Sequence, residues 1–276
     1  MSTWTSDSVP DMPPITAAGW LRVLVRGTLV GGITYGCLLL LLLVRLVERP
    51  LCGVNRPVTP WITQFVCRSA LFFMGFSVES KGRPMTEHGA VVANHASWLD
   101  IFSLNAFQRI YFVSKSEVAK WPGIGWLARA TGTVFIARDR SEAKAQADLF
   151  EGRLKAGHKL LFFPEGTSSD GRRVLPFKPT LFAAFFSDEL KSFLHIQPVS
   201  VLYRAPEGQE PRFYGWWGDM EFGSHLLHVL AARRNGRVSL TFHPPLAVKD
   251  YPDRKALAQA CETIVRSAYA DWGGSS

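Results

Sequence analysis

The hydrophobic pattern along the chain changes character twice. The first twenty or so residues carry three prolines and no apolar period, which reads as a loose tail. From Gly27 to Val44 no charged residue occurs over 18 positions, and Leu38–Leu43 is an unbroken leucine run. A helix of that length rises about 27 Å, close to the roughly 30 Å of a bilayer's hydrocarbon. Arg22 and Arg26 flank one end and Arg45 and Arg49 the other, so charge bias sets no orientation. No small-residue cleavage site follows, which favours a retained anchor over a removed leader. After Pro57 and Pro60 a second apolar stretch, Trp61–Phe76, is broken only by Arg68. It reads as a helix lying at the membrane interface with Arg68 snorkelling. Two buried helices of a soluble domain are the alternative, but the leucine run leaves no polar face to support it.

Past Phe76 short β-rich runs alternate with helical patterns. Strands are expected at Phe76–Glu79, Ala90–Ala93, Ile110–Val113, Thr133–Ala137, Lys159–Phe163, Ile196–Tyr203 and Val238–Phe242. Helices are expected at Trp98–Phe107, Glu117–Ala130, Glu142–Ala156, Thr180–Phe186, His225–Arg233 and Arg254–Tyr269. This alternation predicts an α/β fold, a mixed sheet covered by helices, behind the apolar two-helix segment. The expected division is 1–75 for tail and membrane helices and 76–276 for the globular domain.

Composition narrows the function. The 276 residues are 47% hydrophobic and 20% charged, which excludes a disordered or collagen-like chain. One segment of bilayer length argues against a multi-span transporter. Lys+Arg is 31 against Asp+Glu 23, a net charge of +8, which suits an anionic partner. The basic residues are dispersed, with no arginine-rich helix or recognised module, so nucleic acid is not expected. Cys37, Cys52, Cys67 and Cys261 are scattered, so neither a disulfide framework nor a metal site is expected. His225 and His228 read as packing or surface histidines.

Four segments carry candidate chemistry. In Asn94-His95-Ala96-Ser97-Trp98-Leu99-Asp100 a strand ends and a helix begins. An aspartate one turn into that helix can hold one ring nitrogen of His95, leaving the other free to take a proton from a hydroxyl. Ser97-x-x-Asp100 is equally a helix capping box, the commoner reading on spacing alone. In Phe163-Pro164-Glu165-Gly166-Thr167-Ser168-Ser169 a buried strand delivers a carboxylate to a turn, and Gly166 permits close approach to backbone. Gly132–Arg138 ends in an arginine able to grip an anion. Ile196–Val201 contains Pro198 and reads as an edge strand or a bulge. Gly123-Ile124-Gly125-Trp126-Leu127-Ala128 follows Trp121-Pro122 rather than a strand, so a tight turn is expected over a dinucleotide site.

Taken in order, the four segments resemble the glycerolipid acyltransferase family of the lysophosphatidic acid acyltransferase type. Asn94–Asp100 matches NHxxxxD, Gly132–Arg138 G-x-x-F-I-x-R, Phe163–Ser169 FPEGT-x-S, and Ile196–Val201 an apolar block around a proline. The resemblance runs from about residue 76 to 205. It implies that His95 is a general base on the acceptor hydroxyl and that Asp100 orients it. It implies acceptor contacts from Asn94, Arg138, Pro164, Glu165, Gly166, Thr167 and Pro198. It further implies an acyl thioester donor on acyl carrier protein or coenzyme A, a lysolipid acceptor, a bilayer partner and no metal or resident cofactor. Such an enzyme is expected at the membrane, on the cytoplasmic face of the inner membrane. Phosphatidate-forming members often carry arginine where this chain has Ser168. SSDG followed by RRVLPFK looks closer to the branch acylating lyso-ornithine lipid, with lysophosphatidic acid as the alternative acceptor. Arg172, Arg173 and Lys178 remain candidates for phosphate contacts. A serine hydrolase is disfavoured because no G-x-S-x-G elbow occurs. A non-catalytic basic membrane-surface protein is the remote alternative.

Overall fold

The computed structural model describes residues 4–6, 8–136 and 143–272. The charge-free segment lies inside one long helix, α1 (Ala17–Cys52), about 54 Å in length. Thr16 caps it by accepting from Gly19 N–H at 3.1 Å. Its first turns lean on the globular part, where Arg22 and Arg26 donate to the last carbonyls of α7 (Phe222–Ala231) and beyond, at Leu230, Ala231 and Ala232. Farther along, Leu39, Leu43, Leu46 and Val47 stand exposed. α1 is long and apolar enough to cross a membrane, and its apolar window is almost entirely unburied by protein.

α2 (Thr59–Met74) has no side-chain cap of its own. Glu48 of α1 supplies one, accepting from Val58 N–H at 2.7 Å and Thr59 N–H at 3.1 Å, with Arg45 against its other oxygen. A carboxylate there meets the positive end of the helix dipole. One face of α2 enters the core through Cys67, Ala70, Leu71 and Met74, while Trp61, Phe65 and Phe72 stay exposed. Arg68 is exposed, and its Nε donates at 2.6 Å to the helix-end carbonyl of Ala106, which Gln64 Nε2 also reaches at 3.3 Å.

The remaining chain builds a mixed sheet from β1 (Ser77–Lys81), β2 (Gly89–Ala93), β3 (Tyr111–Lys115), β4 (Val134–Ile136), β5 (Leu160–Phe162), β6 (His195–Arg204), β7 (Arg237–Phe242) and β8 (Leu246–Ala247). The order is β1-β7-β6-β2-β5-β3-β4, with β8 also on β6. β2, β5, β3 and β4 run parallel, and β6 joins β2 in parallel but β7 and β8 antiparallel. β2 is buried at every position, as a central strand covered on both faces must be. Val91 and Ala93 pack toward α2, α3 (Leu99–Phe107) and α7; Ala90 and Val92 pack toward Phe182, Phe185 and α8 (Arg254–Trp272).

Three local expectations change. β6 is central rather than an edge. Pro198 is tolerated because it sits where the partner changes from β8 (His195, Ile196) to β7 (from Val199), so no ladder donor is needed there. The helix expected over Glu117–Ala130 is a 3-10 turn at Ser116–Lys120 followed by α4 (Ile124–Thr131). Pro122 and Gly123, the latter at φ +71°, separate them. The tail is extended but docked: Trp4 packs near Trp217, and Arg212 donates to the Ser8 carbonyl at 3.0 Å. α5 (Ala143–Lys155) and the short α6 (Asp188–Lys191) are the remaining α-helices among the described residues.

Candidate active site

His95 lies just beyond β2 and Glu165 just beyond β5, two adjacent parallel strands. Carboxyl ends of parallel strands are where α/β sheets build sites. The two loops are tied to each other. Glu165 Oε1 accepts from His95 N–H at 2.9 Å, and the His95 carbonyl accepts from Ser169 N–H at 2.9 Å. Gly166, at φ +71°, closes the second loop by donating to the Phe163 carbonyl.

Asp100 Oδ2 meets His95 Nδ1 at 2.7 Å and also accepts from Ala96 and Ser97 N–H at 2.9 and 3.0 Å. Asp100 is fully buried, whereas 21% of the His95 side chain is exposed. The carboxylate thus holds the helix start and the imidazole together, so the capping and catalytic readings describe one group. The serine half of the capping box is not made, since Ser97 Oγ is buried without a partner. With Nδ1–H donating to Asp100, Nε2 presents its lone pair. Phe163 stacks on the imidazole at 3.9 Å between ring centroids and 9° between planes, fixing its orientation.

A residue the motif does not contain completes the carboxylate's shell. Tyr203, at the end of β6, donates to Asp100 Oδ1 at 2.8 Å, and Ser103 Oγ lies 3.0 Å from the same phenol oxygen. Burial, then the adjacent Asp100, raises the Tyr203 pKa well above its ordinary value, so it stays a donor. The signal lies in the strand pattern: Val199, Val201 and Tyr203 share one buried face, and a phenol there needs a partner.

Other expected contacts are placed differently. Glu165 is 1% exposed, and both oxygens serve backbone amides, Oε2 accepting from Leu175 N–H at 3.1 Å. Burial raises its pKa to about 8, against the two amide bonds and with Asp100 adding like charge. Asn94 is buried and extends the sheet ladder, donating to the Val201 carbonyl and accepting from Val201 N–H, each at 2.8 Å. Neither of these side chains faces outward to a head group. Pro164 is buried, its carbonyl accepting from Lys178 N–H. Pro198 sits within the sheet beside Val92, behind the loop mouth. Thr167 is half-buried, its Oγ1 3.4 Å from Trp4 N. Arg173 is paired with buried Asp170 at 3.0 Å, and Arg172 is exposed nearby. Arg138 lies outside the described residues. His225 is a packing histidine: Trp98 Nε1 donates to its Nδ1, and burial lowers its pKa to about 4.

Such a constellation can deprotonate a hydroxyl and stabilise the imidazolium that forms. Residues 77–202 match the acyltransferase family model. The chain is 58% identical over 264 residues to the lyso-ornithine lipid O-acyltransferase of Rhodobacter capsulatus, covering 96% of each chain. It is 30% identical to the 1-acyl-sn-glycerol-3-phosphate acyltransferase of Neisseria gonorrhoeae, covering 69% of this chain and 74% of that one. Its fold is that of the Thermotoga maritima 1-acyl-sn-glycerophosphate acyltransferase PlsC, with a TM-score of 0.62 at 20% identity over 93% of this chain and 95% of that one. The chain belongs to the acyltransferase family, whose members are enzymes that acylate a hydroxyl.

Proposed function

We propose that this enzyme moves a fatty acyl group from a thioester, on acyl carrier protein or coenzyme A, to the free hydroxyl of a lyso-aminolipid such as lyso-ornithine lipid. His95 Nε2 takes the hydroxyl proton as the oxygen attacks the thioester carbonyl. Collapse of the tetrahedral intermediate expels the thiolate, which regains the proton from the imidazolium. Asp100 offsets the imidazolium charge, and Tyr203 keeps that carboxylate fixed. The thioester is activated enough that the proposed route needs no metal or resident cofactor. Glu165 and Asn94 act as positioning residues that hold the His95 loop.

The observation that carries this reading is the 2.7 Å contact between His95 and a buried carboxylate whose other bonds are all filled. The aminolipid acceptor is supported by the 58% identical relative, and by Ser168 where an arginine would favour phosphate. Lysophosphatidic acid is the second reading, favoured by exposed Arg172 beside the loop and by the Neisseria relative. A competition assay decides: purified protein, acyl carrier thioester, and equal lyso-ornithine lipid and lysophosphatidic acid. Ornithine lipid should form first; exclusive phosphatidate formation would reverse the order.

The exposed apolar length of α1 and the lipid-acyltransferase relatives support membrane association. We place the catalytic domain on the cytoplasmic face of the inner membrane, where a soluble donor meets a lipid acceptor. Protease added to sealed inverted vesicles should cleave the domain; protection there would place it on the other face.

A further inference from the structure

The parallel strands have a second end, and it too carries unusual chemistry. At the amino ends of β2, β3 and β5 a cleft of about 1070 Å³ opens between the α1–α2 turn, the end of α3 and the loop before β5. Five residues of β2 put it about 16 Å from the His95 loops. Its walls carry Arg56, Arg68, Arg109 and Lys159, and among the described residues no aspartate or glutamate lines it.

These cations are set in place rather than loosely solvated. The Arg109 guanidinium lies 3.9 Å over the Trp61 ring, which fixes its plane and leaves its N–H edge for a ligand. Arg56 is anchored through one nitrogen on the Ala130 carbonyl at 2.6 Å, and Lys159 is 3.3 Å from the Thr86 carbonyl. Two further residues on the same wall carry unpaired polar atoms, although His158 accepts at Nδ1 from Arg153 Nε. Gln108 is 6% exposed, and neither its amide nitrogen nor its oxygen is hydrogen-bonded. His158 is equally buried, and its Nε2 is unpartnered too. Four cations with no carboxylate among the described lining residues suit an anionic ligand, and the unpaired Gln108 amide N–H and His158 Nε2 lie beside them as further donors. Exposed Leu51, Phe65 and Trp61 stand on the helices bordering the cleft, where an apolar tail would lie.

We propose that this cleft holds the net-anionic phosphate headgroup of a membrane lipid, at a site separate from the acyl-transfer centre. The arginines and lysine offset the phosphate charge, and Gln108 and His158 supply neutral donors. The space far exceeds a bare phosphate, and the site lies at the end of α1 and start of α2, beside the exposed apolar side chains of both helices.

The test uses the full chain in neutral detergent, titrated with dihexanoyl phosphatidylglycerol, dihexanoyl phosphatidylcholine or inorganic phosphate. Melting temperature and heats of binding are read. Phosphatidylglycerol should bind, more weakly at high salt, and Arg109→Gln and Gln108→Met should each weaken it at least tenfold. His95→Ala should bind it as the wild type does. Gln108→Met should also melt higher without lipid, since it removes unpaired buried atoms. Inorganic phosphate binding as tightly as the lipid keeps the phosphate site but makes the solute its source. Equal binding of phosphatidylcholine, unchanged binding in both cleft variants, or loss in His95→Ala overturns the proposal.

Discussion

The two ends of the parallel strands contrast in how their polar groups are satisfied. At the carboxyl ends, Asp100 collects four donors, Glu165 serves two backbone amides, and Asn94 bonds the Val201 backbone and the Tyr269 hydroxyl, leaving Ser97 Oγ unpaired beside them. The histidine between them keeps one nitrogen for chemistry. At the amino ends, cations crowd a cleft in which the Gln108 amide and the Nε2 of His158 are buried without partners. A saturated network preorganises a reacting group, whereas an unsaturated basic one is preorganised for something that arrives.

Breaking the saturated end should give the largest effects. His95→Ala should lower acyl transfer by on the order of 10³-fold or more while circular dichroism and melting stay near wild type. Normal turnover in that variant would remove His95 from the mechanism. Asp100→Asn keeps an oxygen for Ala96, Ser97 and the imidazole but loses the charge. Its kcat should fall on the order of 10²- to 10⁴-fold, with KM for the lysolipid nearly unchanged. A change in KM alone would assign Asp100 to binding.

Glu165 sharpens the comparison through pH. Its folded pKa, about 8, lies above the ordinary carboxyl value, so the folded state binds more protons than the unfolded one between the two. Stability should therefore be greatest below about pH 4.5 as far as this group is concerned, and should decline as pH rises toward 8. Denaturant midpoints measured from pH 5 to 8 should fall in the wild type and flatten in Glu165→Gln. An equally steep decline in the variant would place the titration elsewhere.

Tyr203→Phe deletes one donor to Asp100 while Ser103 stays within reach of the emptied position. About 1 kcal/mol of stability and a several-fold loss in kcat are expected, with KM unchanged. Smallest is the gain at the unsaturated end. Gln108→Met should stabilise the lipid-free protein by about 1 kcal/mol, read by denaturant melts.

Much of this was legible because it is local. Asn94–Asp100 spans one strand end and one helical turn, so seven adjacent residues already fix which carboxylate can reach the imidazole. The leucine run of α1 needs no partner to be read as apolar on every side. Boundaries of β2, β5 and α3 fall within a residue or two of the pattern, since β-rich runs and helical periods alternate cleanly there. The roles of Glu165 and Asn94 were less legible, because a motif tells that a carboxylate or an amide is present and not what its oxygens touch.

By itself, then, the chain's sequence put the proposed reacting pair within one turn of each other and determined the apolar front helix and the alternation that makes an α/β sheet. Only the tertiary structure decided that Glu165, 70 residues away, holds the His95 backbone, and that Tyr203, 103 residues from Asp100, completes its shell. It also decided that β6 is central and that residues near 56, 68, 108 and 158 share one cleft. The physical reason is that strand order is set by which buried faces pack best across the sheet. That choice is made between distant segments, and no local spacing encodes it.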